Sequence, residues 1–148
     1  MPNALVDRSW PVLRRAMGGH TRVYRLTRGK IGHNIPGIGP HLLLDHVGAK
    51  SGKLRTTPLL YTKDGDDLIV IASKGGHPKN PGWYHNLKAN PDTEVQVGSE
   101  RRDVHARVAD DDEYERLWSK AVAQYGGYAG YRKRTNRKIP VVVLERRR

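Results

Sequence analysis

Short apolar runs separated by turn residues constrain the fold of this chain more than any other feature. Leu68-Ile69-Val70-Ile71 has no polar alternation, which is typical of a strand buried on both faces. It follows Lys63-Asp64-Gly65-Asp66, whose Asp-Gly pair is a hairpin signal. Similar apolar or alternating segments occur over residues 41–48, 56–62, 94–98, 103–109 and 139–144. The pattern predicts about six short strands joined mainly by hairpins.

Helical patterns interrupt this series of strands. A helix is predicted over residues 82–89, between two prolines, and a longer one from Asp110, where acidic residues suit the positive end of a helix dipole. The longer helix has one continuous apolar stripe, formed by Tyr114, Leu117, Trp118, Ala121, Val122 and Tyr125. Residues 10–17 also have helical spacing, and Gly18-Gly19 is expected to end that helix. Because no βαβ series is present, we expect a mainly β fold with flanking helices, as an antiparallel barrel or rolled sheet.

The chain length predicts one barrel domain over residues 41–148, preceded by a basic helix and loop over residues 1–40. Residues 29–40 are rich in glycine and proline, so we expect a loop there. No apolar run approaches the roughly 18 residues of a membrane span, and no secretory signal is evident. Cysteine is absent, which excludes disulfides, thiolate nucleophiles and cysteine-ligated metals. We expect a cytoplasmic protein.

The charge balance favours an anionic partner. There are 27 Lys and Arg against 15 Asp and Glu, which gives a net charge of +12. Nucleic acid, an acidic membrane surface and a small polyanionic ligand all fit such a charge, and so does a well-solvated basic surface. Charge alone leaves these four interpretations open. Residues 1–30 are especially basic, so peripheral membrane contact through the N-terminus is one expectation.

Residues 48–58 carry the densest cluster of anion-binding chemistry. The segment has three cations and three hydroxyls, namely Lys50, Lys53, Arg55, Ser51, Thr56 and Thr57. Its glycines allow backbone N–H groups to turn toward an anion, and Lys and Arg add charge-assisted hydrogen bonds. A nucleotide P-loop is excluded because only three residues separate Gly48 from Gly52, and Leu54 stands where a Mg²⁺-binding hydroxyl is required. Phosphate binding and a hydrated hairpin turn both remain open.

Two aromatic groups offer further candidate sites. Trp83-Tyr84 opens the predicted helix after residues 73–82, where a loop follows the buried strand. The pair either stacks on a flat ring or packs in the core. Tyr125, Tyr128 and Tyr131 recur every three residues, so on a helix they lie along one side. They either wall an apolar pocket with hydroxyl donors or pack a helix on the barrel.

Metal and covalent catalysis have little support in the sequence. The seven histidines include no i, i+4 pair and no accompanying carboxylate pattern, so we predict no metal site. No Gly-x-Ser-x-Gly nucleophile elbow is present. No recognised nucleic-acid-reading helix or aromatic sheet motif is present either, so nucleic acid is not an expected partner.

Three strings of residues carry a family resemblance. The first is Gly48-x-Lys50-Ser51-Gly52-x-x-Arg55-x-x-Pro58-Leu59. The second is Ala72-Ser73-Lys74-Gly75-Gly76, continuing through Lys79-Asn80-Pro81-x-Trp83-Tyr84-x-Asn86-Leu87-Lys88-Ala89-Asn90-Pro91. The third combines the spaced tyrosines with Thr135-x-Arg137-x-Ile139-Pro140. Residues 42–144 therefore resemble the deazaflavin-dependent nitroreductases, also called F420-dependent quinone reductases, which are found mainly in actinobacteria.

The resemblance implies a fold, a cofactor and a reaction. The fold is a split β-barrel of the flavin-reductase type. The cofactor is F420, a deazaflavin with a phosphate and a glutamate tail, and in reduced form it passes a hydride to a quinone, nitroaromatic or activated enone. FMN bound in the same barrel is one alternative, and a cofactor-binding protein without turnover is another. The small-molecule substrate and the oligomeric state are not specified.

The resemblance also implies site residues. The cofactor phosphate and the start of its tail are expected at Ala49, Lys50, Ser51, Arg55, Thr56 and Thr57. The ring system is expected beside Pro58, Leu59, Leu60, Ile71, Ala72, Ser73, Lys74, Gly82, Trp83, Tyr84, His85 and Asn86. Tyr128 is expected to contact both cofactor and substrate, with Tyr125 and Tyr131 completing the substrate pocket. The expected catalytic residues are Tyr128, Ser73 and Lys74, as donors to a substrate oxygen that gains charge.

Overall fold

The computed structural model describes residues 21–29, 33–35, 38–73, 80–134 and 138–147. The helix predicted over residues 10–17 lies outside these ranges, and so does Lys74. Residues 21–26 are helical, which was not expected after Gly18-Gly19. Among the described residues, no helix is long and apolar enough to cross a membrane.

The described elements are mostly strands. The strands are β1 (Asn34–Ile35), β2 (Gly39–Val47), β3 (Leu54–Leu60), β4 (Thr62–Asp64), β5 (Asp67–Ile71), β6 (Asp92–Val97), β7 (Glu100–Val108) and β8 (Val141–Arg146). The helices are α1 (Gly82–Ala89), α2 (Asp111–Gln124) and α3 (Gly127–Arg134). Helix α1 has the predicted bounds, and each predicted strand is present. The chain has more strands than expected because β1 lies inside the predicted loop and the segment 56–62 is divided at Tyr61.

All strand pairs are antiparallel, in the order β1-β2-β6-β7-β8-β5-β4, with β3 also paired to β2. The outer strands β3 and β4 are consecutive in the chain, with Tyr61 alone between them. Since one residue cannot span an open sheet, the sheet must curl until these edges approach each other. The result is the expected split β-barrel with flanking helices.

Strands β5 and β8 are buried on both faces, as predicted for β5. On one face Leu68 and Val70 belong to the barrel interior, together with Leu42, Leu44, Tyr61, Ala72, Trp83, Leu87, Val95, Val104, Ala106, Val142 and Leu144. On the other face Ile69 and Ile71 pack with Ala109, Tyr114, Leu117, Trp118, Ala121, Tyr128, Ile139, Val141 and Val143. Helices α2 and α3 therefore cover the outside of the barrel wall, while α1 contributes to its interior.

The end of the barrel near Tyr61 is closed by the helical segment 21–26. Tyr24 of this segment is fully buried. Its hydroxyl accepts a hydrogen bond from the Gly98 N–H at 2.6 Å and lies 2.8 Å from His33 Nδ1. A Cβ on Gly29, whose φ is +82°, would lie 2.5 Å from the Gly98 Cα. The close backbone contact therefore requires glycine at this position.

Candidate functional site

Residues 48–53 connect β2 to β3 at the opposite end of the barrel, and we call residues 48–55, which include the first two residues of β3, the anion turn. The Gly48 N–H donates to the Lys53 carbonyl at 2.9 Å, and the Gly52 N–H donates to the Gly48 carbonyl at 2.9 Å. Gly52 has a φ of +69°, which glycine adopts without strain. The backbone N–H groups of Lys50 and Ser51 have no acceptor among the described residues. The anion turn therefore presents two successive free amides.

The cations of this turn differ from most other cations of the barrel. Arg25, Arg101, Arg102, Arg107, Arg116, Lys120, Arg132, Lys138, Arg146 and Arg147 all form ion pairs with carboxylates. No described carboxylate lies within ion-pair distance of Lys50, Lys53 or Arg55, and all three are exposed. Three unneutralised cations within six residues make a local positive field that attracts anions.

Strand β3 divides the expected phosphate residues between two faces. The register pairs His46 with Arg55 and Leu44 with Thr57, so Arg55, Thr57 and Leu59 share the face of the barrel interior. Thr56 lies on the other face, where its hydroxyl donates to Asp45 Oδ1 at 2.7 Å. Pro58 and Leu60 share the face of Thr56. The structure therefore places Arg55 and Thr57 on one face of the sheet and Thr56, Pro58 and Leu60 on the other, while Lys50 and Ser51 lie in the connection that precedes β3.

A buried histidine connects the anion turn to helix α1. Asn86 Oδ1 accepts a hydrogen bond from the Ala49 N–H at 2.9 Å, and Asn86 Nδ2 lies 2.8 Å from His46 Nδ1. His46 Nε2 lies 2.8 Å from the Thr57 hydroxyl. Burial, followed by repulsion from Arg55, lowers the pKa of His46 to about 4. His46 was not among the expected site residues, although its position after Leu42 and Leu44 on one strand face was a signal of a polar group in the interior.

Helix α1 places its first residues in different environments. Trp83 is buried in the barrel interior beside Leu87, which favours core packing over stacking on a ligand. Tyr84 is half-buried, and the Lys88 ammonium lies over its ring, 5.5 Å from the ring centroid. His85 and Gly82 are exposed. Asn80, just before the helix, has a buried Oδ1 without a hydrogen-bond partner in the described part of the chain.

The end of β5 leads toward this helix. Ile71 faces helices α2 and α3, whereas Ala72 belongs to the barrel interior. Ser73 is buried. Ser73 is the last described residue before the gap at 74–79, so the environment of Lys74 stays a prediction.

The three tyrosines form one cluster, although they do not share a helix. Helix α2 ends before Tyr125, whereas Tyr128 and Tyr131 belong to α3. The rings of Tyr125 and Tyr128 meet edge to face with centroids 5.0 Å apart, and the hydroxyls of Tyr125 and Tyr131 lie 3.0 Å apart. A Cβ on Gly127 would overlap the Tyr125 ring, so a larger residue at this position would force that ring to move. Burial raises the pKa of Tyr128, which keeps its phenol protonated as a hydrogen-bond donor.

Two clefts lie away from the anion turn. One, of about 240 Å³, lies on the flank of α1 that faces β7 and β8, and Tyr84, Leu87, Ala106 and Val142 line it. The other, of about 560 Å³, lies between α2 and α3 on the outside of the barrel. Tyr84 lines the first of these two clefts, and none of the other expected cofactor residues that the structure describes lines either of them. The anion turn itself is an open surface feature.

Comparisons with known proteins agree with these observations. The family model of F420H2-dependent quinone reductase matches residues 16–146. A Mycobacterium tuberculosis protein named as an F420H2-dependent quinone reductase is 52% identical over 131 residues, which is 86% of this chain and 88% of that protein. A solved F420-H2 dependent reductase superposes with a TM-score of 0.67 at 44% identity, covering 72% of this chain and 94% of its own. A second structure, described as a domain-swapped dimer, has a TM-score of 0.70 at 37% identity and covers 90% and 98% of the two chains.

These matches confirm the resemblance carried by the three sequence strings. They extend it to residues 16–41. The chain belongs to the F420H2-dependent quinone reductase family.

Proposed function

We propose that this protein uses F420H2 to reduce a quinone, with nitroaromatics and activated enones as further electron-poor substrates. Membership of the F420H2-dependent quinone reductase family supports the reaction class. The observation that carries the proposal is the anion turn, where three cations stand beside two backbone amides, and none of these groups has a partner among the described residues. A phosphate with an acidic tail is the kind of ligand that such a donor set binds.

The residues present fit the cofactor chemically. Lys50, Ser51, Arg55 and Thr57 would hold the phosphate and the first carboxylates, because amides, cations and a hydroxyl all donate to anionic oxygens. Thr56 is a weaker candidate because its hydroxyl already donates to Asp45. Tyr84 would contribute an aromatic surface for the ring system at the flank of α1.

F420H2 supplies a hydride when it is bound, and the protein binds, orients and shields the reactants. Tyr128 would donate a hydrogen bond or proton from its hydroxyl to the substrate oxygen on which negative charge develops. Its packing against Trp118, Tyr125 and Tyr131 supports this role, since a fixed donor needs no reorganisation. Ser73 and Lys74 are the further proposed donors.

Turnover tests this proposal. F420H2 oxidation by a soluble quinone should be catalysed by the wild-type protein, and Tyr128→Phe should lower kcat by about 100-fold if the phenol is a general acid. The cofactor affinity should change little in this variant. Ser119→Ala, which removes an exposed hydroxyl of α2, is a matched control that should retain full kcat. Equal kcat in Tyr128→Phe and wild type would remove Tyr128 from the mechanism.

Two competing functions give different results in the same preparation. An FMN-dependent reductase would bind FMN more tightly than F420 and would not oxidise F420H2. A cofactor-binding protein without turnover would bind F420 but show no oxidation with any quinone, nitroaromatic or enone. Membrane contact through residues 1–40 is a separate proposal, for which sedimentation with anionic vesicles is the test.

A further inference from the structure

The backbone N–H of Ala49 determines which atoms donate and which accept in the hydrogen bonds of the Asn86 side chain. The Ala49 N–H can only donate, so the Asn86 atom 2.9 Å away must be the amide oxygen. The amide nitrogen of Asn86 therefore points to His46 Nδ1, at 2.8 Å. Since an amide nitrogen can only donate, Nδ1 must be the acceptor and must carry no proton.

The same reasoning assigns donor and acceptor in the hydrogen bond between the His46 imidazole and Thr57 of β3. A neutral histidine with an unprotonated Nδ1 carries its hydrogen on Nε2. The Nε2–H then donates to the Thr57 hydroxyl oxygen at 2.8 Å. The hydroxyl hydrogen of Thr57 is not used in this bond, and no described residue accepts it. Thr57 is therefore left with a free hydrogen to donate on the barrel face that it shares with Arg55.

We propose that His46 is a positioning residue for anion binding, whose neutral imidazole ties the anion turn to helix α1 and keeps the Thr57 hydroxyl available as a donor. The inference rests on the proposed function, because the anion is taken to be the phosphate of F420. His46 does not contact the anion itself in this account. It acts through Asn86 on the Ala49 backbone and through Thr57 on the ligand.

Protonation of His46 would disrupt this arrangement. A hydrogen on Nδ1 would face the Asn86 amide nitrogen, which places two donors 2.8 Å apart. Asn86 would have to rotate, and the Ala49 N–H would lose its acceptor. The charged groups that act on His46 are Arg55, which opposes protonation, and Asp45, which favours it.

Substitutions at His46 test the inference through F420 binding, measured by fluorescence of the oxidised cofactor. His46→Leu removes both hydrogen bonds and should raise the Kd about tenfold. His46→Gln can accept from Asn86 and donate to Thr57, so its Kd should stay within about threefold of wild type. The matched control is His33→Leu, because His33 is half-buried at the opposite end of the barrel. It should leave the Kd unchanged.

A double-mutant cycle distinguishes positioning from a general structural effect. Thr57→Val alone should also weaken binding about tenfold, because it deletes the donor. If His46 acts through Thr57, the double variant His46→Leu/Thr57→Val should bind only slightly more weakly than the worse single variant. Losses that multiply would overturn the proposal.

The protonation state provides a readout that does not depend on binding. The ¹⁵N shifts of the His46 ring at pH 7 should show a protonated Nε2 and an unprotonated Nδ1 in the cofactor-free protein. An Nδ1–H tautomer or an imidazolium would overturn the inference. Failure of the wild-type protein to bind F420 would instead reject the proposed function, so the two failures are distinguishable. Circular dichroism identifies any variant that does not fold. In that case the ¹⁵N shifts of the wild-type His46 ring still test the proposed tautomer.

Discussion

Mild acid should destabilise this fold through His46. In the folded protein the pKa of His46 is about 4, against 6.5 for an ordinary histidine. The unfolded chain therefore binds a proton at a higher pH than the folded chain does. The contribution of the neutral His46 to folding stability is present above about pH 6.5, decreases as the pH falls, and is lost as the pH passes through about 4.

The size of this effect follows from the pKa difference. Linkage gives a loss of about 2 kcal/mol between pH 7 and pH 5, and about 3 kcal/mol by pH 4. His46 is 4% exposed, so solvent screening reduces these values little. A loss of 2 kcal/mol is a substantial part of the roughly 5–15 kcal/mol that stabilises a typical domain.

Urea unfolding followed by tryptophan fluorescence at pH 7 and pH 5 measures this loss. His46→Gln cannot titrate, so its free energy of unfolding should decrease by about 2 kcal/mol less than that of wild type over the same interval. His85→Gln removes an exposed histidine from α1 and serves as the control, with the pH dependence of wild type. The reasoning is refuted if His46→Gln and wild type lose the same stability on acidification.

Three further predictions concern the barrel and its helices. Arg116 and Lys120 hold the pKa of Asp64 at about 2. Asp64→Asn should therefore lower the free energy of unfolding at pH 7 by about 1 kcal/mol, a value that allows for the solvent exposure of both partners. In urea titrations, the difference between variant and wild type should shrink as the pH falls from 4 toward 2. Tyr24→Phe should lower the free energy of unfolding by about 1–3 kcal/mol, because the Gly98 N–H would lose its buried acceptor; an unchanged urea midpoint would contradict this. Gly29→Ala should lower the free energy of unfolding by more than about 2 kcal/mol, because the added Cβ would lie 2.5 Å from the Gly98 Cα. The matched control is Gly65→Ala, since Gly65 also has a positive φ but has open space around it. This control should lower the free energy of unfolding by less.

Local sequence signals determined most of the barrel. The Asp64-Gly65 signal predicted a hairpin, and β4 and β5 are joined by a two-residue loop in which Gly65 has a φ of +62°. The apolar run 68–71 predicted burial on both faces, and the structure confirms it because α2 and α3 cover the outer face. These features depend on neighbours in the chain, so periodicity and turn chemistry were sufficient.

Features that depend on distant contacts were not predictable in the same way. The break at Tyr61 arises because the chain crosses from one sheet edge to the other, where the Tyr61 N–H donates to the Pro40 carbonyl. The helical segment 21–26 is secured by Tyr24, whose hydroxyl accepts a hydrogen bond from Gly98, 74 residues away in sequence.

The candidate site shows the same division. The cations of the anion turn were identifiable from composition, because they fall within six residues. The link from Ala49 through Asn86 to His46 joins residues that are 37 and 40 positions apart, and no local pattern reports it. Alternation along a strand places Thr56 and Thr57 on opposite faces of β3, but only the pairing with β2 shows which of the two faces the barrel interior.

Direct titration of oxidised F420 tests the central claim that the anion turn holds this cofactor. Wild-type protein should bind F420 saturably at low ionic strength and more weakly as salt is added, with a steeper decrease for longer glutamate tails. The double variant Lys50→Ala/Arg55→Ala should raise the Kd by at least about tenfold. In contrast, Lys63→Ala, at an exposed lysine of β4 that has no ion pair with a described carboxylate, should leave the Kd unchanged. Absence of F420 binding by the wild type, or equal affinity in the double variant, would contradict the account.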